Sequence, residues 1–185
     1  MTGEWLRLPY LAAAALLVVA GGPKVVDPLP LVRALRSAGL AAGRFPVRLF
    51  AIGEVVLGGA AMLSPARGVA AAVAVTYAGL TAFVGHALRR GGVLASCGCF
   101  GTADTPPSRV HAALTASAAA VAAALAADPP VRLWPAGPAE LSADVALVAL
   151  LGLLAWQVLA VLPATTPAAV RSIRRPGPVA PGRRG

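Results

Sequence analysis

Charge is scarce in this chain of 185 residues: Asp, Glu, Lys and Arg together make up 12%, against 58% hydrophobic residues. So few polar groups cannot cover a soluble globule of this size, so the solvent around most of the chain is lipid. Acidic residues are rarer than basic ones, seven against sixteen, for a net charge of +9. Such a balance can mark a nucleic-acid binder, but aromatics are only 5% and the basic residues are scattered between apolar runs and in a tail. With no aromatic platform among them they read as topology signals and lipid-headgroup contacts, and no nucleic-acid partner is expected. Also missing is any segment alternating apolar and polar side chains over roughly ten positions, which excludes a membrane β-barrel. No nucleotide, haem or phosphate motif is present, so no cofactor is expected. What the chain has in plenty is alanine, which suits helices that approach closely through small side chains. The expected fold is all-α, a polytopic transmembrane helix bundle.

Cysteine is almost absent. Its two occurrences stand one residue apart in Ser96-Cys97-Gly98-Cys99-Phe100-Gly101, between two long apolar runs. A thiolate is both a soft metal ligand and a nucleophile towards disulfides, so a close pair points to redox exchange or metal capture. A disulfide between Cys97 and Cys99 closes a small ring around Gly98, and departure from relaxed geometry makes such a bond easier to reduce. That describes an exchanger rather than a staple. Two unrelated loop thiols are the plainer alternative.

Five apolar runs are long enough to span. The first covers about Leu6 to Val26. Val18-Val19-Ala20 could serve a signal peptidase, but Glu4 offsets Arg7 in a weakly charged start, and a retained helix is expected. Pro28 to Arg44 is a short amphipathic piece for the interface, with Leu29, Leu31, Val32, Leu35 and Leu40 interleaved with Arg33 and Arg36. Pro46 to Leu63 and Val69 to Leu88 are the second and third spans, joined by a turn at Ser64-Pro65-Ala66-Arg67-Gly68. Thr105-Pro106-Pro107-Ser108 closes the cysteine loop and caps the fourth span, about Ser108 to Ala127. A proline-rich linker over 128–142 leads to a fifth span over 143–162, and 163–185 reads as a disordered basic tail.

Five spans put the termini on opposite sides. Of the sixteen Lys and Arg residues, Arg7, Arg67 and Arg132 fall on one face, and Lys24, Arg33, Arg36, Arg44, Arg48, Arg89, Arg90, Arg109 and the tail arginines on the other. The positive-inside rule then makes the C-terminus and the Cys97/Cys99 loop cytoplasmic in a multi-pass cell-membrane protein. Since disulfides persist outside the cytosol, a cysteine pair on that side suits a cycling dithiol.

Glu54 stands near the middle of the second span, where a carboxylate must be paired, protonated or facing a wet interior. Lys24, His86 and Gln157 are its candidate partners, with proton handling or orientation of the site as its use. Lys24 can equally pair with Asp27, and Gly58-Gly59 reads as a helix-packing surface. His86 and His111 flank the cysteine loop and titrate near neutrality, which suits proton transfer. With Cys97 and Cys99 they also form a conceivable metal set, although their spacing departs from the short paired spacings of common zinc modules. Arg89, Arg90, Arg109 and Lys24 would favour a thiolate.

Gly22-Pro23-Lys24 to Asp27-Pro28, then Glu54 and Gly58, then Cys97-Gly98-Cys99-Phe100-Gly101 resemble the motifs of the MauE family, distant relatives of DoxX-like membrane proteins. The resemblance runs over roughly residues 8 to 126 and implies a four-helix core at 1–127, to which the fifth helix is an addition. It further implies a membrane component of a thiol–disulfide relay, exchanging electrons through Cys97/Cys99 with a thioredoxin-like partner. The client would be an exported redox enzyme of the methylamine-utilisation kind, with Glu54 and His86 assisting at the site. The rival classes are a non-enzymatic membrane assembly scaffold and a metal-handling membrane protein using Cys97, Cys99, His86 and His111.

Overall fold

A computed structural model describes residues 2–89 and 108–161. Its elements are α1 (Thr2–Val26), α2 (Leu29–Ser37), α3 (Arg44–Leu63), α4 (Arg67–Arg89), α5 (Arg109–Ala127) and α6 (Pro138–Trp156), the last continued by a π-helical turn, Gln157–Val161. No strand occurs among the described residues. Five of the helices, all but α2, are long and apolar enough to cross a bilayer. The chain is therefore a multi-pass all-α bundle, as its composition requires. Cys97, Cys99 and the basic tail lie outside the described residues.

The bundle is built around α1. Tyr10, Leu11, Ala14 and Leu17 are all essentially inaccessible, and α1 packs on α3, α5 and α6. Its closest neighbour is α3, and the reason is two glycines. A Cβ on Gly58 would lie 2.6 Å from Ala14 O, and one on Gly21 would lie 2.9 Å from Ala51 O. Only hydrogen fits at either crossing, so the two backbones approach as lipid-embedded helices do when small residues allow it. Position 21 of α1 faces positions 51–55 of α3, and position 58 of α3 faces positions 14–18 of α1, so the helices run antiparallel. Gly59, by contrast, has nothing within 4 Å of where its Cβ would be. The expected Gly58-Gly59 surface is in fact Gly58 against α1, with Gly21 as the partner glycine.

The second tight pair is α4 with α5, joined by polar contacts as well as alanine. The Thr81 hydroxyl lies 2.8 Å from Tyr77 O and 2.9 Å from Thr115 Oγ1, while Thr115 donates to His111 O at 3.0 Å. Ser108 caps α5 as expected, its Oγ accepting from His111 N at 3.1 Å.

α2 buries Leu31 and Val32 against Val47 of α3, buries Ala34 as well, and leaves Arg33 and Arg36 exposed. It ends in a Schellman turn, Gly39 N donating to Arg36 O and Leu40 N to Leu35 O. Gly39 takes φ 80°, a left-handed conformation that a Cβ disfavours.

The last spanning helix begins at Pro138, five residues before the expected Ala143. Proline at the first position of a helix loses no bond, because that N–H has no intrahelical partner. The preceding segment is tied down, with Leu133 buried in the core and Trp134 Nε1 donating to Met62 O at 2.7 Å. α6 itself leaves Leu147, Leu150, Leu153 and Leu154 exposed, a face for lipid. It is held by an ion pair that the sequence reading missed: Arg7 Nη2 of α1 lies 2.8 Å from Asp144 Oδ2, and Arg7 Nη1 donates to Leu133 O at 3.3 Å.

Candidate functional site

Within the bundle Lys24 and Glu54 meet. Lys24 Nζ donates to Glu54 Oε2 at 2.7 Å, and each residue is only 2% exposed. Helix geometry explains the convergence. Side chains lean towards the N-terminus of their own helix, and α1 and α3 run antiparallel. Lys24, near the end of α1, therefore leans inward along the bundle, and Glu54 leans outward to meet it. Glu54 lies ten residues from the start of α3 and nine from its end, about 15 Å at 1.5 Å per residue. A carboxylate at that depth is stable only with a partner, and of the three candidates the structure supplies Lys24. Gln157 is exposed on the continuation of α6. The alternative pairing of Lys24 with Asp27 does not form: Asp27 Oδ1 instead accepts from Leu29 N at 3.0 Å and starts α2.

The pair forms one wall of a cavity of about 530 Å³ lying between α1, α5 and α6. Its remaining lining is largely apolar, from residues such as Leu17, Leu80, Leu114 and Val121, with Tyr77, His111 and Thr115 adding polar groups. Tyr77 and Thr115 spend their hydroxyl protons on the backbone: Tyr77 donates to Ala13 O at 2.7 Å and Thr115 to His111 O. Lys24 also borders a second, open-sided cavity of about 570 Å³ between α2, α3 and α4. The ion pair thus stands between two apolar spaces.

The two histidines point to different places. His111 is 5% exposed and lines the first cavity. His86 is exposed, its Nε2 3.4 Å from Ala38 O in the turn after α2. That contact, with Ala38 packing on Ala87 and Phe83, brings the end of α4 to the end of the bundle where α1 finishes. Arg48 closes the same end, donating to Val25 O and Val26 O at 2.9 and 3.2 Å and satisfying carbonyls left over at the C-terminus of α1. The chain leaves α4 at Arg89 and re-enters a helix at Arg109, so the segment carrying Cys97 and Cys99 connects helix ends on this basic side. Among the described residues no group of three His, Cys, Asp or Glu side chains is placed to hold a metal ion.

No curated protein and no solved structure matches the chain. A family model does: methylamine utilisation protein MauE, over residues 5–128. The match takes in α1 to α5, the Lys24–Glu54 pair and the cysteine segment, and it ends before α6. Covering well over half of the sequence, it shows that this multi-pass membrane protein belongs to the MauE family.

Proposed function

We propose that the protein is a membrane station in a thiol–disulfide relay, with Cys97 and Cys99 as the exchanging pair and a thioredoxin-like protein as its partner. The observation that carries this reading is the C-x-C pair itself, the only cysteines of the chain, inside the span of the family match. In the exchange one cysteine thiolate attacks a sulfur of the partner's disulfide, forming a mixed disulfide and expelling the partner's other sulfur as a thiolate. The second cysteine then attacks the first, closing the Cys97–Cys99 ring and releasing the partner as a dithiol. Two electrons and two protons pass to the partner, and the reverse sequence returns them. The end user of the relay is an exported redox protein whose own disulfides must be made or corrected, of the methylamine-utilisation kind.

The basic end of the bundle supports this role. Arg89 and Arg109 bracket the cysteine segment, and positive charge favours the thiolate. His86, exposed at that end, would give or take the proton that accompanies exchange. Glu54, fixed by Lys24, orients the bundle beneath it.

The test is the redox state of Cys97 and Cys99 in native membranes, read by maleimide mass-tagging before and after reductant, with a membrane-impermeant maleimide to report the side. A pair that is partly oxidised and equilibrates with an added thioredoxin-like protein supports the relay. Labelling from the cytoplasmic face supports the orientation read from the basic residues. A pair that stays reduced under every condition, with no mixed disulfide trapped by Cys97→Ser or Cys99→Ser, overturns it.

A further inference from the structure

We propose that the cavity between α1, α5 and α6 binds a membrane-soluble amphiphile headed by a hydroxyl group, with that hydroxyl seated between Lys24 and Glu54. Its volume, about 530 Å³, is in the range of sites that enclose a small organic ligand. The walls are almost entirely aliphatic, with α5 and α6 both lining the space and α5 meeting the π-helical turn that continues α6, which leaves room between them for a hydrocarbon tail. A tail alone, however, does not account for the polar end.

The hydrogen-bonding groups there can be counted. Tyr77, Thr115 and Ser117 are committed to backbone carbonyls, and His111 is engaged as well. An ammonium carries three donors, and among the described residues Lys24 Nζ uses one, on Glu54 Oε2. Glu54 Oε1 accepts from no donor among the described residues, although the residue is 2% exposed. Among the described residues the wall therefore offers, side by side, unused donors and an unused acceptor. Buried polar atoms are ordinarily satisfied. One hydroxyl satisfies both, its oxygen accepting from Lys24 and its hydrogen donating to Glu54. An ether or an ester can accept but cannot donate, and a hydrocarbon does neither. Alkylated hydroquinones and isoprenoid alcohols are membrane-soluble molecules that carry this chemistry, one on an aromatic and one on an aliphatic frame. The proposed binding asks no chemistry of Cys97 or Cys99, so it is tested separately from the relay.

The experiment is equilibrium binding of radiolabelled decylhydroquinone, its dimethyl ether, farnesol and its methyl ether to the full-length protein in phosphatidylcholine nanodiscs. The hydroxyl compounds are expected to saturate, and the ethers to bind at least about tenfold more weakly, the scale of one hydrogen bond to a charged group. Tighter binding of decylhydroquinone identifies the aromatic class as ligand, and tighter binding of farnesol the isoprenoid class. Ala118→Phe, which fills the cavity wall while leaving the ion pair in place, abolishes binding of all four. Lys24→Met/Glu54→Leu, which replaces the pair by apolar groups of similar size, removes the preference for hydroxyl over ether. Equal affinity for alcohol and ether in the unaltered protein, binding of hydroxyl compounds undiminished by Ala118→Phe, or no saturable binding of any probe overturns the proposal.

Discussion

Replacing Lys24 by Met should be among the most damaging single changes in the bundle, and the ion pair gives the magnitude. Lys24 and Glu54 are each 2% exposed and joined at 2.7 Å. Removing one partner of such a pair costs about 3–5 kcal/mol, because the other charge is stranded away from water. The two directions should not cost the same. Glu54 has a short stem and sits near the middle of α3, so without Lys24 it has no route to the interface. Lys24 stands two residues from the end of α1, and without Glu54 its long stem can carry the ammonium towards the headgroups. Lys24→Met should therefore cost about 3–5 kcal/mol, and Glu54→Leu about 1–2 kcal/mol. The double substitution should return to within about 1 kcal/mol of the parent, since an apolar pair of similar volume needs no desolvation. The coupling between the two sites, the sum of the single penalties less that of the double, is then about 3–8 kcal/mol. Reversible unfolding in mixed micelles, followed by tryptophan fluorescence on the four proteins, measures it directly. Polar contacts in membrane proteins commonly couple by only about 0.6 kcal/mol, because the unfolded chain in the bilayer also finds partners. A coupling of that size, or equal penalties for the two single substitutions, would refute the argument from depth and burial.

Two further outcomes concern packing. Gly58→Ala should destabilise the bundle by about 1–3 kcal/mol, since its Cβ would sit 2.6 Å from Ala14 O and 2.8 Å from Val18 Cγ2. Its neighbour is the control: Gly59→Ala meets nothing within 4 Å and should be neutral or stabilising by up to about 1 kcal/mol, as helix propensity alone dictates. Unfolding in the same micelles compares them, and equal effects would show that α1 and α3 do not cross at Gly58. Asp144→Ala should loosen α6 without unseating the rest, because it removes the 2.8 Å contact to Arg7. Hydrogen exchange should rise across 138–159 and stay unchanged in α3, and uniform exchange throughout would argue against that local attachment.

How much of this was legible in the sequence depends on which force placed each residue. The five spans were, because burial in lipid is written in unbroken apolar length. Glu54 with Lys24 was legible as one of a few options, since a mid-span carboxylate must find a donor and the chain offers few. Which histidine faces the interior was not. His86 and His111 sit on helices rich in alanine all round, so no apolar stripe marks the inner face, and the choice follows from how α4 packs on α5. The same holds for Gly58 against Gly59. The contact between Arg7 and Asp144 was not foreseen: the two stand far apart in sequence, and Asp144, the second residue of the expected fifth span, was given no partner. An acidic residue inside an apolar run was the available signal, the same one that picked out Glu54. Cys97 and Cys99, the strongest chemical signal, lie outside the described residues.

Taken together, the two ion pairs make α1 the axis of the molecule. Near its start Arg7 holds Asp144 of α6, and near its end Lys24 holds Glu54 of α3. Between them Tyr10, Leu11, Ala14 and Leu17 form the most deeply buried surface of the bundle. That arrangement predicts a retained first helix rather than a cleaved signal peptide. Cleavage after Ala20 would remove those core side chains, leave Asp144 without Arg7, and take away the helix against which Gly58 fits. The remainder would expose Leu125, Leu133 and Val148 where α1 had covered them. The protein extracted from membranes should therefore carry residues 4–20, detected as peptides by mass spectrometry of the purified chain. An N-terminus at Gly21 would require a bundle with a different core, in which neither α3 nor α6 is held as described.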